Sequence, residues 1–172
     1  MKIIATLTAA VALVAASASY AAASETAPKP SQTTETFGAW TVRCIANAEA
    51  SCETIQVINS QAGTIAEIAI ALPKGQDQAV IASRAPLGVM ISEPIRFGEK
   101  DSTESFEINY VTCVSQGCLA QARISADELR LLAEKATGSL TFREHSGRSF
   151  QISVPLNGLK DALIRLSAGR TG

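Results

Sequence analysis

Aromatic residues, histidine and clustered positive charge are all scarce in this chain of 172 residues. Phe, Trp and Tyr together make up 5% of the sequence, and His145 is the single histidine. A carbohydrate-binding face lined with rings is difficult to build from so few aromatics. Lys and Arg are scattered singly, whereas phosphate binding draws on clustered positive charge. We therefore expect no nucleic-acid partner.

Long apolar runs are also absent, with one exception at the N-terminus. Lys2 supplies a positive charge, Ile3–Ala16 is mostly apolar, and Ala21–Ala23 offers a small-residue cleavage site. This pattern predicts a cleaved signal peptide over residues 1–23, and export to the periplasm or the cell surface. An uncleaved anchor is the alternative, but the run is shorter than the roughly 20 residues that span a bilayer. We expect no transmembrane segment in the mature chain.

Composition divides the rest of the chain into two parts. Residues 24–36 are rich in Pro, Ser, Thr and Glu and have no apolar period, which predicts a disordered spacer. Residues 37–172 carry regular apolar alternation and are numerous enough to bury a core of their own. We expect them to form a single β-sandwich domain.

The pattern of this domain is typical of short strands. Phe37–Cys44 places Trp40, Val42 and Cys44 on one face, and Glu53–Asn59 alternates in the same way. Trp40 is expected in the core rather than on a binding face, because its neighbours on that face are apolar. About eight or nine strands, with turn signals roughly every 8 to 12 residues, favour a β-sandwich over a βαβ sheet.

Two segments in the C-terminal half show helical spacing instead. Ser125-Ala-Asp-Glu128 is a capping box, and the apolar residues after it recur at helical spacing until Gly138. Asn157 can cap a second helix that carries Leu159, Ala162, Leu163 and Leu166. Between them, His145–Arg148 is expected at the tip of a hairpin. The predicted fold class is mainly β with two short helices.

The four cysteines form two close pairs, Cys44 with Cys52 and Cys113 with Cys118. An oxidising compartment favours disulfides. Three connectivities exist, and sequential pairing is favoured because each pair flanks one short turn. A redox pair would be expected to have Cys-x-x-Cys spacing, and a zinc site would need reduced thiols at other gaps. We predict structural disulfides, no metal ligands and no cofactor.

No catalytic constellation is recognisable. His145 lies in a predicted turn, where a solvated role is expected, and the chain has no Gly-x-Ser-x-Gly elbow. Carboxylate pairs such as Glu104 with Glu107, or Asp127 with Glu128, lie in turns or at a helix start, where they solubilise or cap. We predict no catalytic residues, and the chain is not expected to be an enzyme.

Five motifs, in their order and spacing, resemble the invasion-associated locus B family of proteobacterial envelope proteins. They are Phe37-Gly-Ala-Trp-Thr-Val-Arg-Cys44, Cys52-Glu-Thr-Ile-Gln56, Pro86-Leu-Gly-Val-Met-Ile91, Cys113-Val-Ser-Gln-Gly-Cys118 and Val154-Pro-Leu-Asn-Gly-Leu159. The family typically has Gly-Phe where this chain has Gly158-Leu159, a change that leaves the apolar face of the last helix intact. The resemblance covers nearly all of the domain.

The resemblance implies an immunoglobulin-like antiparallel β-sandwich, a periplasmic or cell-surface location and no known enzymatic activity. In pathogenic members it implies an association with host-cell invasion, and it implies no agreed ligand. The expected function is non-enzymatic binding of a protein at the cell envelope or host surface.

Two alternatives stay open, as does the oligomeric state. They are a small periplasmic enzyme with an assembled carboxylate or disulfide site, and a proteinaceous inhibitor of an exported hydrolase. A deep polar pocket with two facing carboxylates would favour the enzyme, whereas a protruding loop or an exposed strand edge would favour binding or inhibition.

Overall fold

A computed structural model describes residues 31–46, 51–61 and 63–168 of the chain. The predicted signal peptide, residues 24–30 of the predicted spacer and the turn at residues 47–50 lie outside the described residues. The described elements, in chain order, are β1 (Ser31–Phe37), β2 (Trp40–Ala46), β3 (Ser51–Ser60), β4 (Gly63–Ala71), β5 (Gln78–Ala85), β6 (Ile95–Glu99), β7 (Ser105–Val114), β8 (Gly117–Ser125), α1 (Ala126–Ala133), β9 (Thr137–Arg143), β10 (Ser149–Pro155) and α2 (Leu159–Ala168).

The ten strands form one curled, antiparallel sheet in the order β1-β2-β3-β4-β5-β8-β7-β6-β9-β10. The mainly β class, with two helices in the C-terminal half, is confirmed. The immunoglobulin-like sandwich is not confirmed. Strand β7 pairs with β8 on one side and with β6 on the other, and β6 also pairs with β9. Because of this continuous backbone pairing, the described strands form one sheet rather than two stacked layers.

One face of the sheet, here called the inner face, carries the core. Alternate residues of each central strand are buried there, such as Ile68 and Ile70 of β4 and Ile81 of β5. Both helices bury their apolar stripes in the same cluster; these residues are Leu129, Leu132 and Ala133 of α1, and Leu159, Ala162, Leu163 and Leu166 of α2. Period-2 alternation and helical spacing therefore converge on a single core.

Helix α1 begins where its capping signal predicts. The Ser125 hydroxyl accepts hydrogen bonds from the backbone N–H groups of Asp127 (3.3 Å) and Glu128 (3.5 Å). These bonds satisfy two of the N–H groups that a helix start leaves without partners. The Ser125 cap thus accounts for the position at which α1 begins.

Trp40 links the two ends of the sheet. It is fully buried, as predicted, and its indole Nε1 donates to the carbonyl oxygen of Pro155 at 3.1 Å. The Gln56 side-chain amide donates to the same oxygen at 3.0 Å, and the Ala39 backbone N–H donates to the carbonyl of Asn157 at 3.1 Å. Because Pro155 ends β10, these bonds hold the last strand of the sheet against β2 and β3.

Strand β1 corrects the prediction of a disordered spacer over residues 24–36 at its described part, residues 31–36. Its residues pair with β2 from Ser31 opposite Ala46 to Phe37 opposite Trp40. The side chains of residues 32–36 are exposed on both faces, so the segment has no apolar period to detect. Ordering a residue costs about 1–2 kcal/mol of backbone entropy, and a hydrogen bond contributes about 0.5–1.5 kcal/mol. The hydrogen bonds of the ladder therefore offset the ordering entropy of β1 only in part.

Candidate functional site

The outer face of the central strands carries several apolar side chains beside polar ones such as Glu67 and Arg84, although it points away from the core. Its apolar residues lie between the buried ones of each strand; they are Ile55, Val57, Ala69, Ala71, Val80, Ala82 and Leu119. An antiparallel sheet with one covered face normally presents polar side chains on the other. A contiguous apolar patch at the surface is typical of an interaction site.

A groove of about 260 Å³ crosses this face over β4, β5, β8 and β7. We call it the outer groove. Ala69 and Ala82, which lie opposite each other in the β4–β5 ladder, supply small side chains to its lining. Val111 and Leu119 contribute larger apolar side chains from β7 and β8. The lining is completed by Glu67, Ser83, Arg84, Thr112, Ala120 and Gln121.

A β-bulge in β7 places two consecutive residues, Val111 and Thr112, in the lining of the outer groove. Tyr110 pairs with Ala120 and Thr112 with Leu119, so Val111 is an extra residue on β7 without an opposite partner. A bulge interrupts the alternation and can re-aim a side chain. The Val111 side chain is 68% exposed. Strict alternation from the buried Ile108 already turns Val111 outward, and the bulge turns Thr112 to the same face, opposite Leu119.

The charges of the outer groove are already paired. Glu67 and Arg84 lie opposite each other in the β4–β5 ladder, and an Arg84 Nη2 donates to a Glu67 carboxylate oxygen. Beside the bulge, burial raises the pKa of Tyr110 to about 12, because a phenolate loses solvation there. Tyr110 is therefore uncharged at neutral pH. The groove favours an apolar ligand group over an ionic one.

The predicted disulfide residues lie opposite one another in two hairpins. Cys44 faces Cys52 in the β2–β3 ladder, and Cys113 faces Cys118 in the β7–β8 ladder. The Cα atoms are 4.1 Å and 3.9 Å apart, with the sulfur atoms within bonding distance. Neither pair lines the outer groove, although the second closes the hairpin that carries Val111.

His145 lies in the turn between β9 and β10, where the sequence places it, and it is exposed. Its backbone N–H donates to the Gly88 carbonyl at 2.9 Å, and its Nδ1 is 3.3 Å from the same oxygen. Hydrogen bonds from Arg148 lower the pKa of the neighbouring Glu144. The turn contacts the loop before β6 through Gly88, and none of its residues lines the outer groove.

The carboxylates singled out from the sequence do not converge. Glu107 pairs with Arg96 at 3.0 Å, and Asp127 pairs with Arg130 at 2.6 Å, all on exposed surface. Among the described residues, no group of three His, Cys, Asp or Glu side chains is arranged to hold a metal ion.

A second cavity of about 310 Å³ lies between the helices, lined by Arg130, Ala133, Glu134, Lys160, Leu163, Ile164 and Ser167. Its carboxylate, Glu134, accepts a hydrogen bond from Lys160, with the two atoms 2.7 Å apart. This contact raises the pKa of Lys160. The cavity therefore has apolar lining residues, and its carboxylate is already paired with Lys160.

Comparison with known proteins places these features in a family. The model of the family described as "Invasion associated locus B (IalB) protein" matches residues 40–167. The chain belongs to the invasion-associated locus B family. This confirms the resemblance seen in the motifs, and the match contains all of the residues that line the outer groove and the helix cavity.

Two members of the invasion-associated locus B group illustrate the relationship. The chain is 27% identical over 151 residues to the protein named invasion protein B of Bartonella bacilliformis, covering 80% of this chain and 76% of that protein. Its fold is similar to the crystal structure of invasion associated protein B from Bartonella henselae. That similarity has a TM-score of 0.72 and 21% identity, and it covers 81% of this chain and 99% of the other.

Sequence reasoning did not find the outer groove of this family member. Its residues come from four strands, and the register that brings them together is not visible in the chain. One local signal exists: Val111 is apolar at an outward position of β7, where the preceding outward residues, Glu107 and Asn109, are polar. Within the part of the chain that the structure describes, no helix has the length and apolarity to cross a membrane.

Proposed function

We propose that this member of the invasion-associated locus B family is an exported, non-enzymatic binding protein that holds a protein partner at the cell envelope or host surface. The outer groove is the observation that carries the proposal. It offers exposed Val111 and Leu119 beside a floor of small side chains, on a sheet face that would otherwise be polar. The centres of protein interfaces are apolar and bury a few anchoring side chains in such recesses.

The enzymatic alternative has less support. An assembled carboxylate site needs two facing carboxylates, whereas the outer groove holds Glu67 paired with Arg84, and the helix cavity holds Glu134 paired with Lys160. A carboxylate bound to a cation is a poor proton acceptor, because the pair stabilises its charged form. Binding through apolar contact is the function that this geometry favours.

Export and oxidation complete the proposal. Three observations support them: the predicted signal peptide over residues 1–23, the two cysteine pairs at disulfide distance, and membership of a family whose relatives are named invasion proteins. We propose that the mature chain begins near Ser24 and that Cys44–Cys52 and Cys113–Cys118 are structural disulfides. Each then clamps two adjacent strands, and neither holds a metal.

The oxidation state is tested by thiol labelling of protein purified from the periplasm. We expect no labelling of the native or unfolded protein before reduction, and four labelled thiols after it, because all four cysteines are paired. Labelling of the unreduced protein at full stoichiometry would contradict the assignment.

Replacing Cys113 and Cys118 together by serine is expected to cost roughly 2 kcal/mol of unfolding free energy, since the closed loop is short.

The binding role is tested by photo-crosslinking in exporting cells. A crosslinking amino acid replaces Leu119, and the yield of its adduct with a second protein is compared with and without Val111→Glu. We expect Val111→Glu to reduce the adduct roughly tenfold, because a charge placed in an apolar interface loses its solvation. Val111 is exposed, so the variant should fold, which thermal unfolding will verify.

Leu131→Glu is the matched control for Val111→Glu. Leu131 is 69% exposed on α1, against 68% for Val111, and it does not line the outer groove. This control should leave the adduct unchanged. An adduct that survives Val111→Glu, or that is lost equally with Leu131→Glu, would show that the groove does not hold the partner.

A further inference from the structure

We propose that β1 is a displaceable strand, and that the edge of β2 beneath it is a second docking site, which accepts an extended segment of another protein in place of β1. The edge of β2 is separate from the outer groove, whose lining lies on β4, β5, β7 and β8. The inference rests on the anchoring of β1, on the backbone of β2 and on one ion pair. It holds whether or not the outer groove binds a partner.

The two edge strands of the sheet are anchored very differently. Strands β1 and β10 are each seven residues long and each has one neighbour in the sheet. In β10, Ile152 and Val154 are buried, so its departure would expose the core. In β1, residues 32–36 are all exposed, and Phe37 at its end is half-buried. Departure of residues 32–36 would therefore remove no buried side chain from the core.

Strand β2 remains in place when β1 leaves. Trp40 and Val42 hold β2 in the core, and β2 pairs with β3 from Thr41 opposite Ile55 to Ile45 opposite Ser51. Its other edge would then present a row of unpaired N–H and C=O groups, which is a template for an added strand. The family match begins at residue 40, the first residue of β2, and leaves β1 outside.

One ion pair specifies the chemistry of the incoming strand. Arg165 of α2 donates from its Nε to both carboxylate oxygens of Glu35, each at 3.0 Å. Glu35 lies opposite Val42 in the β1–β2 ladder. Because Arg165 belongs to a helix packed in the core, it stays at this edge when β1 leaves. The site therefore fits an extended segment with a carboxylate opposite Val42.

Hydrogen exchange of the full mature chain measures the displacement directly. Local opening sets the exchange rate of native amides, so the amides of β1 should exchange at least roughly tenfold faster than those of β10. The comparison is internal, since both strands are edges of equal length in one molecule. Protection of β1 equal to that of β10 would overturn the proposal.

Docking is measured with a fluorescent peptide of the sequence Ser31–Phe37, added to the full mature chain and followed by anisotropy. We expect the peptide to bind saturably to the unmodified chain. The Glu35→Ala variant should bind the peptide roughly two- to five-fold more tightly than the unmodified chain, because the variant releases its own β1 from Arg165. A peptide with lysine in place of the glutamate should bind more weakly. Absence of binding to Glu35→Ala at peptide concentrations up to about 1 mM would overturn the proposal.

Two variants complete the test. Thr36 and Thr41 lie opposite each other, with their hydroxyl oxygens 3.4 Å apart. In the first variant both residues are replaced by cysteine and oxidised to a disulfide. This disulfide locks β1 in place and should abolish peptide binding. Glu107→Ala removes a comparably exposed ion pair, with Arg96 at 3.0 Å, from another strand and should leave peptide binding unchanged. Equal binding by the locked and unlocked proteins would overturn the proposal.

Discussion

Replacing Trp40 by alanine is expected to lower the free energy of unfolding by about 3–5 kcal/mol. The indole is fully buried and its Nε1 donates to the Pro155 carbonyl, so the variant loses packing and one bond at the corner where β10 meets β2. Chemical denaturation followed by circular dichroism measures the change. Fluorescence is unsuitable because Trp40 is the single tryptophan.

Trp40→Phe separates the two contributions of the indole. Phenylalanine retains an aromatic ring in the core but cannot donate to Pro155, whose carbonyl oxygen still accepts from Gln56. We expect a smaller loss, about 1–3 kcal/mol, from the bond and the reduced volume. A loss below about 1 kcal/mol for Trp40→Ala would show that this residue does not hold the corner together.

Replacing Gly158 by alanine is expected to cost about 3 kcal/mol or more. Gly158 has a φ of 89°, which L side chains rarely adopt, and an added Cβ would overlap the carbonyl group of Phe37. The backbone strain and the overlap each cost about 1–3 kcal/mol. Because the contact is with backbone at the β1–β2 turn, a side chain cannot rotate to relieve it. Denaturant unfolding measures the loss.

Gly147→Ala is the matched control for this effect. Gly147 has a φ of 84°, and an added Cβ there would have no heavy atom within 4 Å. Its replacement should therefore cost only the strain of the backbone, about 1–2 kcal/mol. Equal losses for the two variants would show that Gly158 is required for its backbone conformation alone, and that the contact with Phe37 contributes nothing.

Strand β1 and the outer groove could not be predicted from the sequence, because neither leaves an apolar alternation in the chain. Apolar alternation detected the strands whose side chains enter the core, such as β4, but it could not detect β1, whose side chains are exposed on both faces. The outer groove was missed because Ala69, Ala82, Val111 and Leu119 become neighbours only through strand order and register. A one-residue shift of register would place them on the other face.

The sequence by itself determined the family and the local elements that have one buried face. Period-2 alternation specified strands such as β4, Ser125 specified the start of α1, and the motifs from Phe37 to Leu159 pointed to the invasion-associated locus B family. These features depend on neighbours along the chain, so the chain alone reveals them. Only the tertiary structure decided that the described strands form one curled sheet and that its outer face carries a groove. Alternation shows that a strand face is buried, but the partner that buries it is set by contacts between residues far apart in sequence.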